Sequence, residues 1–287
     1  MINTYTVHQR TIEVDKLGTP INLWFFGDVH RDTESCDIDR WKWFLVRAKA
    51  DPKDTTYFFG MGDYHDFAST REKKQILASL HENTIEDFNH LATKKNRAFM
   101  LEAGFMRGRV LGLIEGNHHW AFSNGTTTTH DLCERLETEY LGWLCHYTLS
   151  FKFKDRGTTR AAVHFVLCHG RAGGKTFGIT INQVGDLKQI FPVADVYCQA
   201  HDHQRGAWPV SVLVPTNGAG KHALKQKRQF LCRSGSFKKA YLPGKSTYEV
   251  GRLLRPSDLG ALKLVINFHR DCKDGKDRLI TDIEARI

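Results

Sequence analysis

The sequence predicts a mixed α/β fold. Short apolar runs rich in Val, Ile, Phe and Leu stop at turn residues, and stretches with helical apolar spacing separate some of them. The longest such runs, Leu23-Trp24-Phe25-Phe26 among them, are far below the roughly 18 residues of a membrane span.

Five predicted strands share a feature at their ends. Asn22 to Phe26 leads into Gly27-Asp28-Val29-His30, Thr56 to Phe59 into Gly60-Met61-Gly62-Asp63, and Arg109 to Ile114 into Glu115-Gly116-Asn117-His118-His119. Ala161 to Leu167 leads into Cys168-His169-Gly170, and Ala194 to Gln199 into Ala200-His201-Asp202-His203. Each strand therefore stops at a side chain of a metal-binding kind. Between the second and third, residues 70–105 carry Ile76, Leu77, Leu80, Ile85, Phe88 and Leu91 at helical spacing among charges, which predicts one or two amphipathic helices. Asp131 to Leu141 reads as a further short helix, and Tyr147 to Phe153 with Arg160 to Leu167 as a hairpin around Lys154-Asp155-Arg156-Gly157. Gln229 to Arg233, Leu262 to Phe268 and Arg278 to Ile283, punctuated by Pro243-Gly244 and Asp274-Gly275, suggest a second sheet. With no internal repeat and no linker, the chain reads as one domain over 1–287. It carries a helical insertion at about 70–105 and basic strands at about 221–287.

Composition narrows the class. Of the 287 residues 41% are hydrophobic and 25% charged, which excludes a disordered or low-complexity chain. The N-terminus lacks a cationic stretch followed by an apolar one, so a cytoplasmic protein without membrane attachment is expected. Seven cysteines without Cys-x-x-Cys spacing fit neither a disulfide framework nor a zinc ribbon, and read as buried thiols. Residues 1–220 hold 25 Lys and Arg against 25 Asp and Glu, whereas residues 221–287 hold 16 against 7, so the whole net charge of +9 falls in the last quarter. Such a bias suits a polyanionic partner or a solvated basic face.

In open α/β sheets ligands collect beyond the carboxyl ends of the strands. There Asp28, His30, Asp63, Asn117, His169, His201 and His203 offer two carboxylates, one amide oxygen and four imidazoles, too many for one four- to six-coordinate ion. Two metals are the natural count, with one carboxylate free to bridge them.

In these blocks the sequence resembles the calcineurin-like metallophosphoesterases, whose motifs are Asp-x-His, Gly-Asp-x-x-Asp, Gly-Asn-His-Asp/Glu, His and Gly-His-x-His. All five have counterparts in order over about residues 21–203, and Arg233-Ser234-Gly235-Ser236-Phe237 beyond them is similar to bacterial and phage members. The resemblance implies a sandwich of two mixed β-sheets flanked by helices. It also implies that Asp28, His30 and His203 hold one metal, that Asn117, His169 and His201 hold the other, and that Asp63 bridges. His118 is then the catalytic histidine and Asp66 the carboxylate that orients it. Two departures remove no ligand: His119 stands where the family has an acid, and Ala200 where it has glycine. Phe67-Ala68 in place of Arg-Gly counts against the Ser/Thr protein phosphatases.

The expected chemistry is phosphoester hydrolysis by a hydroxide generated between two divalent ions, with His118 protonating the leaving oxygen. Nitrogen and oxygen ligands without thiolate suit Mn²⁺, Fe or Zn²⁺ better than Ca²⁺, and Mn²⁺ is the first expectation among the three. The basic C-terminal quarter favours a phosphodiester substrate, either nucleic acid or nucleotide. A small phosphomonoester is the alternative substrate, and a non-catalytic metal-binding scaffold the alternative class. Gly170-Arg171-Ala172-Gly173-Gly174-Lys175-Thr176 is similar to a phosphate-binding glycine loop, but that pattern needs glycine at 169, where the chain has His169. Arg31, Arg171 and Lys175, close in sequence to ligands, are candidate phosphate contacts.

Overall fold

The computed structural model describes residues 4–67, 82–157, 159–171, 176–218, 221–273 and 276–286. Ile76, Leu77 and Leu80 of the expected helical insertion, and Lys175, lie outside them.

Two mixed β-sheets face each other. The first has five strands in the order β11-β10-β2-β3-β4. Its centre is β2 (Ile21–Phe26), β3 (Thr56–Gly60) and β4 (Val110–Leu113), parallel to one another, with β10 (Leu262–Lys273) antiparallel beside β2 and β11 (Lys276–Arg286) antiparallel beside β10. The second has six strands in the order β1-β5-β6-β7-β9-β8. These are β1 (Tyr5–Val14), β5 (Leu144–Phe153), β6 (Arg160–Cys168), β7 (Val196–Gln199), β8 (Arg205–Gly218) and β9 (Lys221–Ser234), of which β6, β7 and β9 run parallel. The sandwich expected for the chain is thus present, and the hairpin expected around residues 154–157 joins β5 to β6.

The inner faces meet in an apolar core. Phe25 and Phe59 of the first sheet pack on Tyr147 and Phe165 of the second, with ring centroids 5.0 to 6.3 Å apart. Helices cover the outer faces. Helix α1 (Ile38–Ala50) turns Trp41, Phe44, Leu45 and Ala48 inward at helical spacing, α2 (Glu82–Ala103) adds Phe99 and Ala103, and α3 (Thr128–Leu136) adds Leu132 and Leu136 against β2, β3 and β4. Helix α4 (Phe177–Ile190) sets Val184 and Leu187 on the back of β6, β7 and β9. None of the helices of the described residues is long and apolar enough to cross a membrane.

Several expectations need correction. The C-terminal strands do not make a sheet of their own: β9 pairs with β7, whereas β10 and β11 extend the sheet of β2. The helix expected over Asp131 to Leu141 starts at Thr128, because Thr127 caps it with both halves of a capping box. It ends at Leu136, where Glu137 turns left-handed at φ 53°. Leu91 of α2 is exposed, and the buried face runs instead through Ala92, Asn96, Phe99 and Ala103. Five strands and α-helices stand where the sequence pattern predicts none: β1, α1, α4, β8 and the short helix Tyr248–Arg252. Pro209 and Pro215 disguise β8, and both are tolerated because β8 is an edge strand. The six described cysteines are all buried and unpaired.

Candidate metal centre

The carboxyl ends of β2, β3 and β4 meet those of β6 and β7 at one edge of the sandwich. Backbone bonds zip the first two loops together, Asp28 N donating to Gly62 O at 2.9 Å and His30 N to Asp63 O at 3.0 Å. A bond between sheets completes the joint, His201 N donating to Asp28 Oδ2 at 2.8 Å.

The backbone at this edge is strained in a selective way. Among the described residues seven that are not glycine adopt positive φ, and five of them are Asp28, His30, Asp63, His201 and His203. The other two, Glu137 and Leu253, are ordinary helix C-caps. Left-handed backbone at a non-glycine residue costs of order 1–3 kcal/mol and persists at sites where a side chain must point in one direction. Glycines supply the remaining room. A Cβ on Gly116 would stand 2.0 Å from Asp63 Oδ1, and one on Gly62, itself at φ 96°, would stand 2.5 Å from His169 Nδ1. Ala200 is not among the positive-φ residues, which is why alanine is accepted there.

The expected ligand residues converge in two adjoining clusters. In one, Asp63, His169 and His201 meet: His169 Nε2 lies 3.1 Å from Asp63 Oδ2, 3.0 Å from His201 Nδ1 and 3.0 Å from Asn117 Oδ1. With metal–ligand bonds of about 2.1 Å, neighbouring corners of a coordination polyhedron stand about 3 Å apart, so these spacings fit one ion. His169 Nδ1 donates to Met61 O at 2.8 Å, which fixes the proton there and leaves Nε2 as the ligand atom. In the other cluster Asp28, His30 and His203 meet, with His203 Nε2 3.9 Å from Asp28 Oδ1. Asp63 joins the two, its Oδ2 lying 3.8 Å from His30 Nε2. Asp28 Oδ1 and His30 Nε2 are buried without a hydrogen-bond partner. A buried carboxylate oxygen and imidazole nitrogen left unpaired cost free energy that a cation offsets, so the donor set fits a pair of divalent ions.

The electrostatics agree with that fit. Burial pushes the Asp28 carboxyl up to about 7, against the pull of the His169 charge. Burial opposes protonation of His169, yet the Asp63 and Asp28 charges lift it to about 9. Asp63, despite burial, is held well below the usual carboxylate range by its contact with His169 and the nearby His118 and His30. Burial and then the His169 charge push His201 down to about 3.

His118 and Asp66 flank the clusters. Asp66 Oδ1 lies 2.5 Å from His118 Nδ1, and its Oδ2 lies 3.2 Å from His30 Nδ1, a contact that sequence reasoning does not anticipate. Burial disfavours both charges, but the contact keeps Asp66 far below its ordinary value and raises His118. His118 N donates to Asp63 Oδ1 at 2.9 Å, so the loop that carries His118 is tied to the central carboxylate. A narrow cleft lined by Asp63, His65, Gly116, His118, His119 and Thr128 opens beside them. His119 places Nδ1 2.7 Å from Gly116 O and 3.5 Å from Glu115 Oε1. Glu115 is itself buried and accepts from Thr127, Thr129 and Tyr140.

The phosphate contacts expected from sequence fare differently. Arg31 pairs its guanidinium with Glu102 in a bidentate contact at 2.9 and 2.7 Å, and Trp41 Nε1 donates to the same carboxylate. Arg171 is exposed and paired with Asp186 at 2.7 Å. Sequence reasoning also passes over the role of Arg233, although the segment it opens stands out by its motif. This fully buried guanidinium donates to Ala200 O at 2.9 Å, to Thr180 O at 2.9 and 3.2 Å and to Gln183 Oε1 at 2.9 Å, and it lies 3.4 Å from Asp202 Oδ2. It clamps the His201–His203 loop to α4.

No protein-family model matches the chain, and no curated protein sequence matches it. Solved structures do. Vacuolar protein sorting 29 from Cryptosporidium parvum is 11% identical with a TM-score of 0.35, over 93% of this chain and 99% of that one. A conserved uncharacterized protein from Streptococcus pneumoniae, described as a predicted phosphoesterase, is 10% identical with a TM-score of 0.35, over 92% of this chain and 99% of its own. GAP50, the anchor in the inner membrane complex of Plasmodium, is 10% identical with a TM-score of 0.40, over 92% of this chain and 84% of its own.

Proposed function

We propose that this chain is a dinuclear metal-dependent phosphoesterase of the calcineurin-like kind, acting on a phosphodiester in nucleic acid or a nucleotide. The observation that carries the reading is the pair of adjoining clusters, Asp28-His30-His203 and Asp63-His169-His201, with the His118-Asp66 pair against them. Asp28, His30 and His203 would hold one divalent ion and Asn117, His169 and His201 the other, with Asp63 shared. Mn²⁺ is the ion proposed, and Fe or Zn²⁺ would also suit the mixed imidazole and carboxylate donors. When bound, such ions supply Lewis acidity that activates water and neutralises phosphoryl charge.

The chain's own residues do the rest. The Asp66 carboxylate stands against Nδ1 of His118 as its charge partner, and His118, which lines the cleft, would deliver a proton to the leaving oxygen. Met61 O fixes the tautomer of His169, and the Asp66 carboxylate 3.2 Å from Nδ1 of His30 favours the proton on that nitrogen. The basic excess of residues 221–287 supports a polyanionic substrate, and six unpaired buried thiols support a reducing, cytoplasmic setting.

The test is hydrolysis of bis-p-nitrophenyl phosphate by Mn²⁺-loaded protein, followed by a panel of single- and double-stranded DNA, RNA, cyclic nucleotides and phosphomonoesters. Wild type is expected to turn over the diester and lose activity to a chelator. His118→Ala is expected to lower kcat by about 10²–10⁴ with metal content unchanged. An inert wild type that holds both metals would contradict the hydrolase reading and favour a metal-binding scaffold; preference for monoesters would correct the substrate.

A further inference from the structure

Asp32 stands two residues past His30 and outside the ligand set. Backbone bonds zip the loop after β2 to the loop after β3: Val29 N and His30 N both donate to Asp63 O, at 2.8 and 3.0 Å, and Arg31 N donates to Tyr64 O at 3.1 Å. A side chain then continues the zip, Asp66 N donating to Asp32 Oδ1 at 2.8 Å. One residue further on, Phe67 N donates to His118 O at 3.1 Å. The backbone around Asp66 is therefore tied on one side to the loop that carries His30 and on the other to His118 itself. Those are the two imidazoles that its carboxylate meets.

A charge on α2 holds Asp32 in that place. Lys95 Nζ pairs with Asp32 Oδ2, and the same ammonium stands 4.6 Å from the centre of the Phe67 ring. Phe67 is buried, with its ring 6.5 Å from that of Trp120. The Asp32 side chain is only 10% exposed, and the imidazole nearest to it, through His65 Nδ1, is 3.9 Å from Oδ1. A carboxylate so withdrawn from water needs a paired cation and hydrogen-bond donors to keep its charge, so Lys95, Asp32 and the Asp66 amide act as one connected unit. Asp66 reaches two rings through different oxygens, at 2.5 and 3.2 Å, and such a double contact tolerates little displacement of the backbone beneath it.

We infer that Asp32, paired with Lys95, is a positioning residue: it fixes the Asp66 backbone so that the Asp66 carboxylate spans His118 and His30. That this placement serves a proton donor and a metal ligand rests on the phosphoesterase reading; the placement itself rests on the contacts that Asp66 N and Lys95 make with Asp32.

The test is a double-mutant cycle in the full chain, read as Mn²⁺ affinity by calorimetry and as kcat and KM on bis-p-nitrophenyl phosphate, together with the metal-free crystal structure of Asp32→Ala. Asp32→Ala is expected to weaken Mn²⁺ binding and to lower kcat, each about tenfold, with KM held. Its crystal structure is expected to show the Asp66 carboxylate drawn away from Nδ1 of His118. In the Asp66→Ala background, where no carboxylate remains to be positioned, the same substitution is expected to cost nothing further. Asp32→Asn, which keeps an oxygen for the Asp66 amide, is expected to restore most of both quantities. If Asp32→Ala does not fold, Lys95→Met carries the same cycle and the same crystal structure, and Lys95→Arg the rescue. Wild-type values in Asp32→Ala overturn the assignment, as does an unmoved Asp66 carboxylate. Equal losses in the two backgrounds also overturn it, since Asp32 then braces the loop without acting through Asp66. A wild type that binds no Mn²⁺ or cleaves no phosphoester contradicts the hydrolase reading, and the crystal structure then decides the positioning by itself.

Discussion

Asp66 faces two imidazoles at once, His118 through one oxygen and His30 through the other. A carboxylate so placed draws Nδ1 of both rings toward itself, so on the proposed reading one side chain would orient a metal ligand and the proton donor together. Asp66→Asn keeps the shape and removes the charge. Calorimetric metal titration of that variant is expected to show affinity weaker by about 10–100-fold along with slower turnover; a carboxylate serving His118 alone would leave metal affinity at the wild-type value. Protonation enters at the same scale. With Asp28 raised to about 7 and His169 to about 9, the metal-free protein holds protons on both near neutral pH, and a metal must displace them. Raised values mean that increasing pH removes the competitor, so Mn²⁺ affinity is expected to rise between about pH 6 and 8, with protons released into the buffer. An affinity flat across that range would contradict these protonation states. The residues of the two clusters were legible in the sequence as candidates because each follows an apolar run that ends in Asp, Asn or His. The second partner of Asp66 was not, since residues 30 and 66 meet only through the pairing of β2 with β3.

Elements hold these side chains by a few cross-links, of which Arg233 on β9 is the most buried. Its guanidinium ties Ala200 O, at the root of the His201–His203 loop, to Thr180 and Gln183 on α4. Arg233→Met keeps the length and apolar stem but leaves Asp202 and three backbone or amide acceptors without their donor. Loss of one partner from a buried pair costs about 3–5 kcal/mol, and urea unfolding is expected to show a shift of that order; a change below about 1 kcal/mol would mean that water replaces the clamp. The strand runs that end in ligands were readable because buried parallel strands are apolar throughout, as in Ile21–Phe26, where every residue is buried. Edge strands gave a poorer signal. β1 alternates polar and apolar residues along the open side of its sheet, and β8 carries two prolines. The signal for α1 was present in Trp41, Phe44, Leu45 and Ala48, whereas α4, with Gly178 and Gly185 and several β-branched residues, has little helical pattern to read.

For the molecule as a whole, the sandwich exists to bring two sets of strand ends together. Phe25, Phe59, Tyr147 and Phe165 set the distance between the sheets, and the bond from His201 to Asp28 closes the edge where they meet. Tertiary pairing decided what local sequence did not: the C-terminal hairpin joined the sheet of β2 because the partner of β10 lies some 240 residues earlier, beyond the reach of any local pattern. Because both sheets contribute to the two clusters, ions bound there would favour the closed edge and so stabilise the folded state. The decisive measurement is the metal stoichiometry of the purified chain after reconstitution with Mn²⁺, read by elemental analysis. About two ions per chain are expected in wild type and at most one in Asp63→Ala, which loses the shared carboxylate. A folded wild type that retains none, or an Asp63→Ala variant that still retains two, would contradict the dinuclear centre.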